Sequence, residues 1–128
     1  MRAITIDDSR AIRSVIKKIL KESGFADIYE AEDGVKALEK LDEIGPIEVA
    51  LVDWNMPNMN GLDFVKNIRQ KEKFNEMCII MVTTETEMGQ MVKALASGAN
   101  EYLMKPFTKD GLLEKLNIFG LILPPAGV

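Results

Sequence analysis

Short apolar runs alternate along the chain with longer segments in which apolar residues recur at helical spacing. Strands that alternate with helices are typical of a parallel sheet covered on both faces, so the pattern predicts an α/β fold. We expect a doubly wound, five-stranded parallel sheet in the flavodoxin-like order 2-1-3-4-5, with five helices. The predicted strands cover residues 3–7, 27–30, 49–53, 77–83 and 101–104.

The predicted helices are amphipathic. The first carries apolar residues at helical spacing from Ile12 to Leu20 and basic residues on its other side, and Gly24 is expected to end it. Thr108 is the expected N-cap of the last helix, with Asp110 near the positive end of the helix dipole. Apolar positions within residues 35–41, 62–68, 91–96 and 112–116 mark the other four helices.

Length and composition indicate one compact domain. The chain has 128 residues, of which 47% are hydrophobic, which is enough for one core but not for two. We expect the domain to cover residues 1–123, followed by a short C-terminal tail, 124–128, that begins at Pro124-Pro125. Apolar runs fall short of the roughly 20 residues of a membrane span, and the single cysteine, Cys78, fits a reducing compartment. A cytoplasmic monomer is the expectation.

The charged residues limit the chemistry and the partners. A net charge of −4 argues against nucleic acid as a partner, because duplex binding uses clustered Lys and Arg. The sequence contains no His, which removes the commonest acid-base group and the commonest zinc ligand. Carboxylates, hydroxyls and lysines must therefore provide the reacting groups.

Polar residues collect where the predicted strands end. In open α/β sheets the functional site lies at the carboxyl ends of the strands, near the point where strand order reverses. This rule brings together three carboxylates, an amide, two threonine hydroxyls and an ammonium group. They belong to Asp7, Asp8, Asp53, Asn55, Thr83, Thr84 and Lys105.

Three neighbouring carboxylates favour a bound cation. At a separation of ~5 Å, each ionised pair repels by about 3 kcal/mol at an effective dielectric constant near 20. Hard oxygen ligands suit Mg²⁺, with Mn²⁺ as an alternative. We expect Asp8 and Asp53 to bind the ion directly, the Asn55 carbonyl to be a third ligand, and Asp7 to act through water.

A metal held in this way favours phosphoryl transfer. The cation neutralises charge that develops on phosphoryl oxygens, so Asp53 can attack phosphorus as a nucleophile. Lys105 would pair with one phosphoryl oxygen, and the Thr83 hydroxyl would donate a hydrogen bond to another.

Four ordered motifs give the chain a family resemblance. The pair Asp7-Asp8, then DWNMPNMNG from Asp53, MVTTE from Met81 and YLMKPF from Tyr102 closely resemble the receiver domains of two-component response regulators. The resemblance covers essentially the whole chain and is nearest to stand-alone chemotaxis regulators. It implies a phosphoacceptor with self-catalysed phosphorylation and dephosphorylation, not an enzyme with turnover.

The resemblance also implies roles for individual residues. Asp53 becomes the acceptor of a phosphoryl group from a histidine kinase, and Thr83, Tyr102 and Lys105 become the signalling residues. The Lys105-Pro106 bond matches a position that is usually cis in the family. Asn55 and Glu85 match positions that tune loss of the phosphoryl group.

The expected partners are a histidine kinase, an output protein, for which the flagellar motor switch is the first candidate, and a dedicated phosphatase as a further possibility. Methionines such as Met88, Met91 and Met104 are ordinary core residues by composition, and Trp54 is expected to be partly exposed. Met91 and Leu95 lie four residues apart on the fourth helix, and with Tyr102 and Lys115 they are predicted to form a partner face.

Three alternatives stay open. A phosphatase of the haloacid dehalogenase type also uses a strand-end Asp and Mg²⁺, but it needs a second Asp where this chain has Asn55. A flavodoxin-like module would need a phosphate-binding loop where Asp7-Asp8 would repel the phosphate of FMN. A phosphorelay intermediate would share the chemistry and differ in its partner.

Overall fold

The architecture is a parallel sheet between two layers of helices. A computed structural model describes residues 1–121, apart from the side chain of Glu85; the predicted tail, 124–128, lies outside the described residues. All strand pairs are parallel, in the order β2-β1-β3-β4-β5, which confirms the predicted fold and strand order. The strands are β1 Arg2–Ile6, β2 Asp27–Ala31, β3 Val49–Asp53, β4 Cys78–Thr83 and β5 Glu101–Met104.

Helices cover both faces of the sheet. α1 and α5 pack on one face, and α2, α3 and α4 pack on the other, each layer enclosing its own apolar cluster. Two 3₁₀ segments, Glu72–Phe74 and Glu85–Gln90, precede β4 and α4. The helices are α1 Arg10–Glu22, α2 Gly34–Ile44, α3 Gly61–Ile68, α4 Met91–Ser97 and α5 Lys109–Ile118.

The central strands are apolar because helices cover them on both sides. Every residue of β3 and β4 is buried, as continuous apolar strands of doubly covered parallel sheets require. Asp53 is the last residue of β3, so the fold places one carboxylate at the edge of an otherwise apolar core. The sheet thereby presents this carboxylate beside the loops that follow β1 and β5.

Side chains that cap the helices fix where these loops turn. Ser9 and Thr108 each accept a hydrogen bond from a main-chain N–H in the first turn of α1 and α5, as predicted for Thr108. α2 ends at Gly45, whose φ of 78° lies in the left-handed region that favours glycine. The cap at Ser9 begins α1 directly after the Asp7-Asp8 pair.

Strand boundaries differ slightly from those predicted. β1 ends at Ile6 because the Asp7 carboxylate accepts a hydrogen bond from the Ser9 N–H (2.8 Å), which turns the chain into α1. β4 begins at Cys78 because the Met77 N–H bonds to the Phe74 carbonyl in the preceding turn. Among the helices of residues 1–121, none combines the length and the apolar character needed to cross a membrane.

Candidate functional site

Three carboxylates meet at the carboxyl edge of the sheet. Asp7 and Asp8 follow β1, Asp53 ends the adjacent strand β3, and one oxygen from each residue lies within 4.8 Å of the other two. Asp7 and Asp53 are buried, with exposed fractions of 2% and 5%, whereas Asp8 is exposed. The cluster is therefore open to solvent on the side of Asp8.

Lys105 brings a positive charge to the same cluster from the end of β5. Its Nζ lies 3.0 Å from Oδ1 of Asp53 and 3.4 Å from Oδ2 of Asp7. The Lys105 main-chain N–H donates to the Thr83 carbonyl (2.6 Å), and the following bond to Pro106 is cis, as the family resemblance implied. The ammonium group thus balances part of the negative charge of two buried carboxylates.

The environment shifts the protonation equilibria of these groups. Burial raises the pKa of Asp53 to about 6, and the negative charges of Asp7 and Asp8 add to the increase while Lys105 opposes it. Burial likewise raises the pKa of Asp7 against the opposing hydrogen bond from Ser9. Burial by itself lowers the pKa of Lys105, but its contacts with Asp53 and Asp7 outweigh this effect and raise it.

The ligand chemistry of the cluster fits a hard divalent cation. All three side chains offer carboxylate oxygens, and the spacing within 4.8 Å is compatible with ligands that share one ion. A single ammonium group cannot neutralise three carboxylates, and a divalent cation would supply the missing positive charge. The residues are thus able to hold a metal ion of the Mg²⁺ type.

The predicted Thr83 lies beside the cluster with its hydroxyl turned to the neighbouring residue. The side chain is fully buried at the end of β4, next to Val82, which is paired with Asp53. Its Oγ1 donates to the Thr84 carbonyl at 3.3 Å. The structure therefore brings Thr83 to the predicted edge of the sheet, with its hydroxyl bonded within the β4–α4 loop.

Comparison with known proteins assigns this arrangement to a family. Residues 3–117 match the response regulator receiver domain, which is most of the chain and includes all three carboxylates and Lys105. The chain belongs to this family. Its members are response regulators of two-component signalling and not enzymes of the classical kind, which disfavours the phosphatase alternative.

Individual relatives are similar over nearly their whole length. The receiver is 47% identical over 118 residues to the chemotaxis protein CheY1 of Helicobacter pylori, covering 92% of this chain and 95% of that protein. It is 45% identical over 116 residues to the chemotaxis protein CheY homolog of Campylobacter jejuni, covering 91% and 89% of the two chains. The structure of chemotaxis response regulator CheY4 of Vibrio cholerae superposes with a TM-score of 0.83 at 34% identity, covering 91% and 96%.

Sequence reasoning missed a residue of the receiver, Glu87, that links two loops of the site. The Glu87 carboxylate is buried and accepts hydrogen bonds from the amide side chain of Asn55 and from the N–H and hydroxyl of Thr84. Asn55 lies after β3, and Thr84 lies after β4, so one carboxylate ties together the loops that flank Asp53. The Thr-x-x-Glu spacing of Thr84 and Glu87 is a capping box, and it could have identified the residue.

A second link holds the β3–α3 loop from the other side. The Asn58 amide donates to the buried Asp33 carboxylate at 2.9 Å, while Asp33 also caps α2 by accepting from the Lys36 N–H. Asn58 adopts a φ of 67°, a left-handed conformation that asparagine tolerates better than most residues. The loop that contains Asn55 is therefore fixed at both of its sides by side-chain hydrogen bonds.

The predicted partner face is only partly exposed. Tyr102 is half-buried, and the Lys115 ammonium lies 4.7 Å from the centre of its ring and 3.4 Å from a carboxylate oxygen of Glu101. Leu95 is exposed, whereas Met91, predicted for the same face, packs into the core beside Ala94. The first turn of α4 points Met91 towards the sheet and leaves the next residue, Val92, in solvent.

Two further apolar residues belong to this surface. Val92 is 75% exposed and Met104 is 38% exposed, so Met104 is not the core residue that was expected.

Trp54 is more buried than predicted. It is 5% exposed and packs in the apolar cluster beneath α2, α3 and α4, which corrects the expectation of a partly exposed indole. The residue that follows Asp53 in sequence therefore lies inside the core.

Proposed function

We propose that this receiver accepts a phosphoryl group from a histidine kinase on Asp53, with Mg²⁺ as cofactor, and that the modification changes its affinity for an output protein. The observation that supports the proposal most strongly is the cluster of Asp7, Asp8 and Asp53 with Lys105 bonded to Asp53. A carboxylate, a cation site and an ammonium group are the elements that phosphoryl transfer to an aspartate requires. Membership of the receiver family supports the same assignment.

The transfer forms an acyl phosphate. A carboxylate oxygen of Asp53 attacks phosphorus, the bond from phosphorus to the histidine nitrogen of the kinase breaks, and the nitrogen takes up a proton. Attack by water on phosphorus later releases inorganic phosphate and restores the carboxylate. Both steps use the receiver's own residues, so phosphorylation and dephosphorylation are self-catalysed, and a small acyl phosphate can replace the kinase.

The cation would be held by the residues that the sequence predicts. Asp8 and Asp53 would bind it directly, the Asn55 main-chain oxygen would be a third ligand, and Asp7 would act through water; Mn²⁺ is the alternative ion. When bound, the cation supplies positive charge for the oxygens of the transferring phosphoryl group. The exposed position of Asp8 gives the ion access from solvent.

Lys105 and Thr83 would detect the phosphoryl group. Lys105 now donates to Oδ1 of Asp53, and after phosphorylation it would donate to a phosphoryl oxygen. Thr83 would exchange its hydrogen bond to the Thr84 carbonyl for one to another phosphoryl oxygen. Movement of the β4–α4 loop would then be transmitted to Tyr102 and to the surface formed by α4, β5 and α5.

That surface is the proposed contact with the output protein. Leu95, Val92 and Met104 expose apolar groups there, while Tyr102 and Lys115 add an aromatic ring and a charge. Met91 would act from beneath, since it supports α4 from the core. Asn55 and Glu85 would tune the rate at which the phosphoryl group is lost, and a dedicated phosphatase would be a further partner.

The names of the relatives favour a chemotaxis circuit. The relatives from Helicobacter pylori and Campylobacter jejuni are chemotaxis proteins, so we propose the flagellar motor switch as the output partner of a cytoplasmic, monomeric receiver, and a chemotaxis-type histidine kinase as the phosphodonor. Residues 1–123 would form the receiver domain and 124–128 its tail. A phosphorelay intermediate with another partner is the alternative.

Intact mass spectrometry tests the acceptor assignment. Incubation with Mg²⁺ and acetyl phosphate should add one phosphoryl group to the wild-type chain, and none to Asp53→Asn or to wild type in excess EDTA. Asp63→Asn, which removes an exposed carboxylate in α3, should be phosphorylated like wild type. An adduct that persists in Asp53→Asn would overturn the assignment.

A binding measurement tests the partner. A labelled N-terminal peptide of a flagellar motor switch protein should bind more tightly to the phosphorylated receiver than to the unphosphorylated one. Leu95→Ala should weaken this interaction. Ala96→Ser, which changes an exposed neighbour on α4, is the control and should leave the affinity unchanged. Equal affinity before and after phosphorylation would favour the phosphorelay alternative.

A further inference from the structure

A groove with a basic rim and an apolar floor lies between α1 and the edge strand β2. Its volume is about 370 Å³, and it is lined by Lys17, Lys18, Lys21, Ala26 and Ile28. These five residues are called the α1–β2 groove below. The site of Asp53 contributes no residue to it.

The rim of the groove is positive although the protein is negative. α1 carries five of the 16 basic residues of the chain and one of its 20 acidic residues, whereas the whole chain has a net charge of −4. Lys21 lies four residues after Lys17 and three after Lys18, which places it next to both on the helix surface. The groove therefore presents a local positive potential to an acidic molecule.

Two of the three lysines are available for a partner. Lys17 is paired with Glu30 at 2.9 Å, and Arg13 pairs with the same carboxylate. Lys18 and Lys21 are exposed and form no ion pair within residues 1–121. They line the groove together with the half-buried Ile28 and the exposed Ala26.

The neighbouring strand has an open edge. β2 pairs with β1 on one side, and among the described residues no strand pairs with its other side. An unpaired edge can accept an extended segment of another chain, with main-chain hydrogen bonds as the first source of affinity. The apolar floor and the lysines would then select the side chains of that segment.

From these observations we propose that the α1–β2 groove docks an extended acidic segment of a partner protein, with apolar side chains on Ala26 and Ile28 and carboxylates on Lys18 and Lys21. Neither a nucleic acid nor an anionic membrane surface can form the main-chain hydrogen bonds that the open edge of β2 offers, whereas an extended peptide can. Charge complementarity and apolar contact together therefore favour a peptide.

The groove is remote from the phosphorylation site and from the proposed output surface. β2 and β5 are the opposite edges of the sheet, so a segment in the α1–β2 groove leaves the surface of α4, β5 and α5 free. Ser9, the N-cap of α1, directly follows the Asp7-Asp8 pair, and Lys21 lies 12 residues after it, a distance of about 18 Å along the helix axis. Docking of the acidic segment is therefore independent of phosphorylation on Asp53. The acidic segment and the output protein can bind at the same time.

The test uses a short fluorescein-labelled peptide in which Glu and Asp alternate with Leu and Val, measured by fluorescence anisotropy and by ¹⁵N NMR. Wild type should bind it with amide shifts concentrated at Lys17, Lys18, Lys21, Ala26 and Ile28. Lys18→Glu and Lys21→Glu should each weaken binding about fivefold or more, because each replaces an attraction by a repulsion. Lys66→Glu, which reverses the charge of an exposed lysine on α3, is the matched control and should bind like wild type.

Two control peptides separate charge from apolar contact. A peptide with Gln and Asn in place of the acids, and one with Ser in place of Leu and Val, should both bind more weakly than the acidic apolar peptide. Treatment of the receiver with acetyl phosphate and Mg²⁺ should leave its affinity for the acidic peptide unchanged. A failure of the receiver to be phosphorylated can therefore be distinguished from a failure of the peptide to dock. Amide shifts elsewhere, equal loss in Lys66→Glu, or preferential binding to duplex DNA or to phosphatidylserine vesicles would overturn the proposal.

Discussion

The Lys105 ammonium lies 3.0 Å from Oδ1 of Asp53, although the two residues are 52 positions apart in sequence. This contact joins the end of β5 to the end of β3 across the carboxyl edge of the sheet. It leaves the buried Asp53 paired with a cation that opposes, but does not cancel, the effect of burial on its pKa.

Replacement of Lys105 should move the titration of Asp53. Lys105→Met removes the hydrogen bond and the positive charge that lower the pKa, so the midpoint should rise above its wild-type position near 6. Lys105→Arg keeps the charge and should stay nearer to wild type. The midpoint can be followed by ¹³C NMR of the Asp53 carboxyl group in metal-free buffer. An unchanged midpoint in Lys105→Met would contradict the assigned contact.

Asp53→Asn should stabilise the metal-free protein near neutral pH. The folded-state pKa is raised from 3.8 to about 6, so folded wild type becomes more stable as pH falls through 6 towards 4, and above 6 it bears the full cost of a buried charge. Removing that charge should add about 1–3 kcal/mol to the free energy of unfolding at about pH 7.5, and less at about pH 5. Urea unfolding at both pH values measures the difference.

Asp42→Asn provides a control of opposite sign. The hydrogen bond from Lys71 lowers the pKa of the exposed Asp42, so its ionised form contributes stability above the unfolded-state pKa and loses it as pH falls. The variant should therefore be slightly less stable than wild type near neutral pH, with a difference that fades in acid. A stabilising effect of Asp53→Asn that did not depend on pH would argue against a buried charge as its cause.

Binding of Mg²⁺ should be detectable through Trp54. This residue is the single tryptophan of the chain and is next to Asp53, so its fluorescence should change on titration with Mg²⁺, and thermal stability should rise by mass action. Asp8→Asn removes the exposed ligand and should weaken the apparent affinity about tenfold or more. Asp63→Asn should leave the titration unchanged. Equal affinities in wild type and Asp8→Asn would exclude Asp8 as a ligand.

Glu87 should contribute to stability through its contacts with Asn55 and Thr84. Glu87→Gln exchanges a buried acceptor of several hydrogen bonds for an amide, and should lower the free energy of unfolding by about 1–3 kcal/mol. Glu114→Gln, on the exposed side of α5, should have little effect. Because Glu87 holds the Asn55 side chain, its replacement should also change the lifetime of the phosphoryl group, measured as decay of the adduct mass. If Glu87→Gln lowered the free energy of unfolding no more than Glu114→Gln does, the contacts of Glu87 with Asn55 and Thr84 would not contribute to stability.

The strands and the main site residues could be predicted because their signals are local or follow from topology. β3 and β5 have the predicted bounds, since the apolar run of β3 ends in Asp53 and the apolar residues of β5 are followed directly by Lys105. Asp7, Asp8, Asp53 and Lys105 were brought together by one rule, that the carboxyl ends of parallel strands share an edge. The strand order confirms the premise of that rule.

Other features depended on which way a side chain turns. Met91 and Leu95 are four residues apart on a short helix, but the rotation of α4 about its axis buries the first and exposes the second. Trp54 is buried because it belongs to the same apolar cluster as Phe64 and Val65 of α3, a tertiary contact that no pattern in the sequence indicates. Met104 is exposed because it ends the edge strand β5. The Asn55–Glu87 contact joins two loops whose separation is set by tertiary structure alone.

The identity of the phosphorylated residue can be determined chemically. Sodium borohydride reduces an acyl phosphate to an alcohol, which converts phosphorylated aspartate into homoserine. After treatment with Mg²⁺ and acetyl phosphate, reduction and tandem mass spectrometry should find homoserine at position 53, and unmodified Asp7 and Asp8. Homoserine at position 7 or 8, or a phosphorylated chain that contains none, would contradict the account.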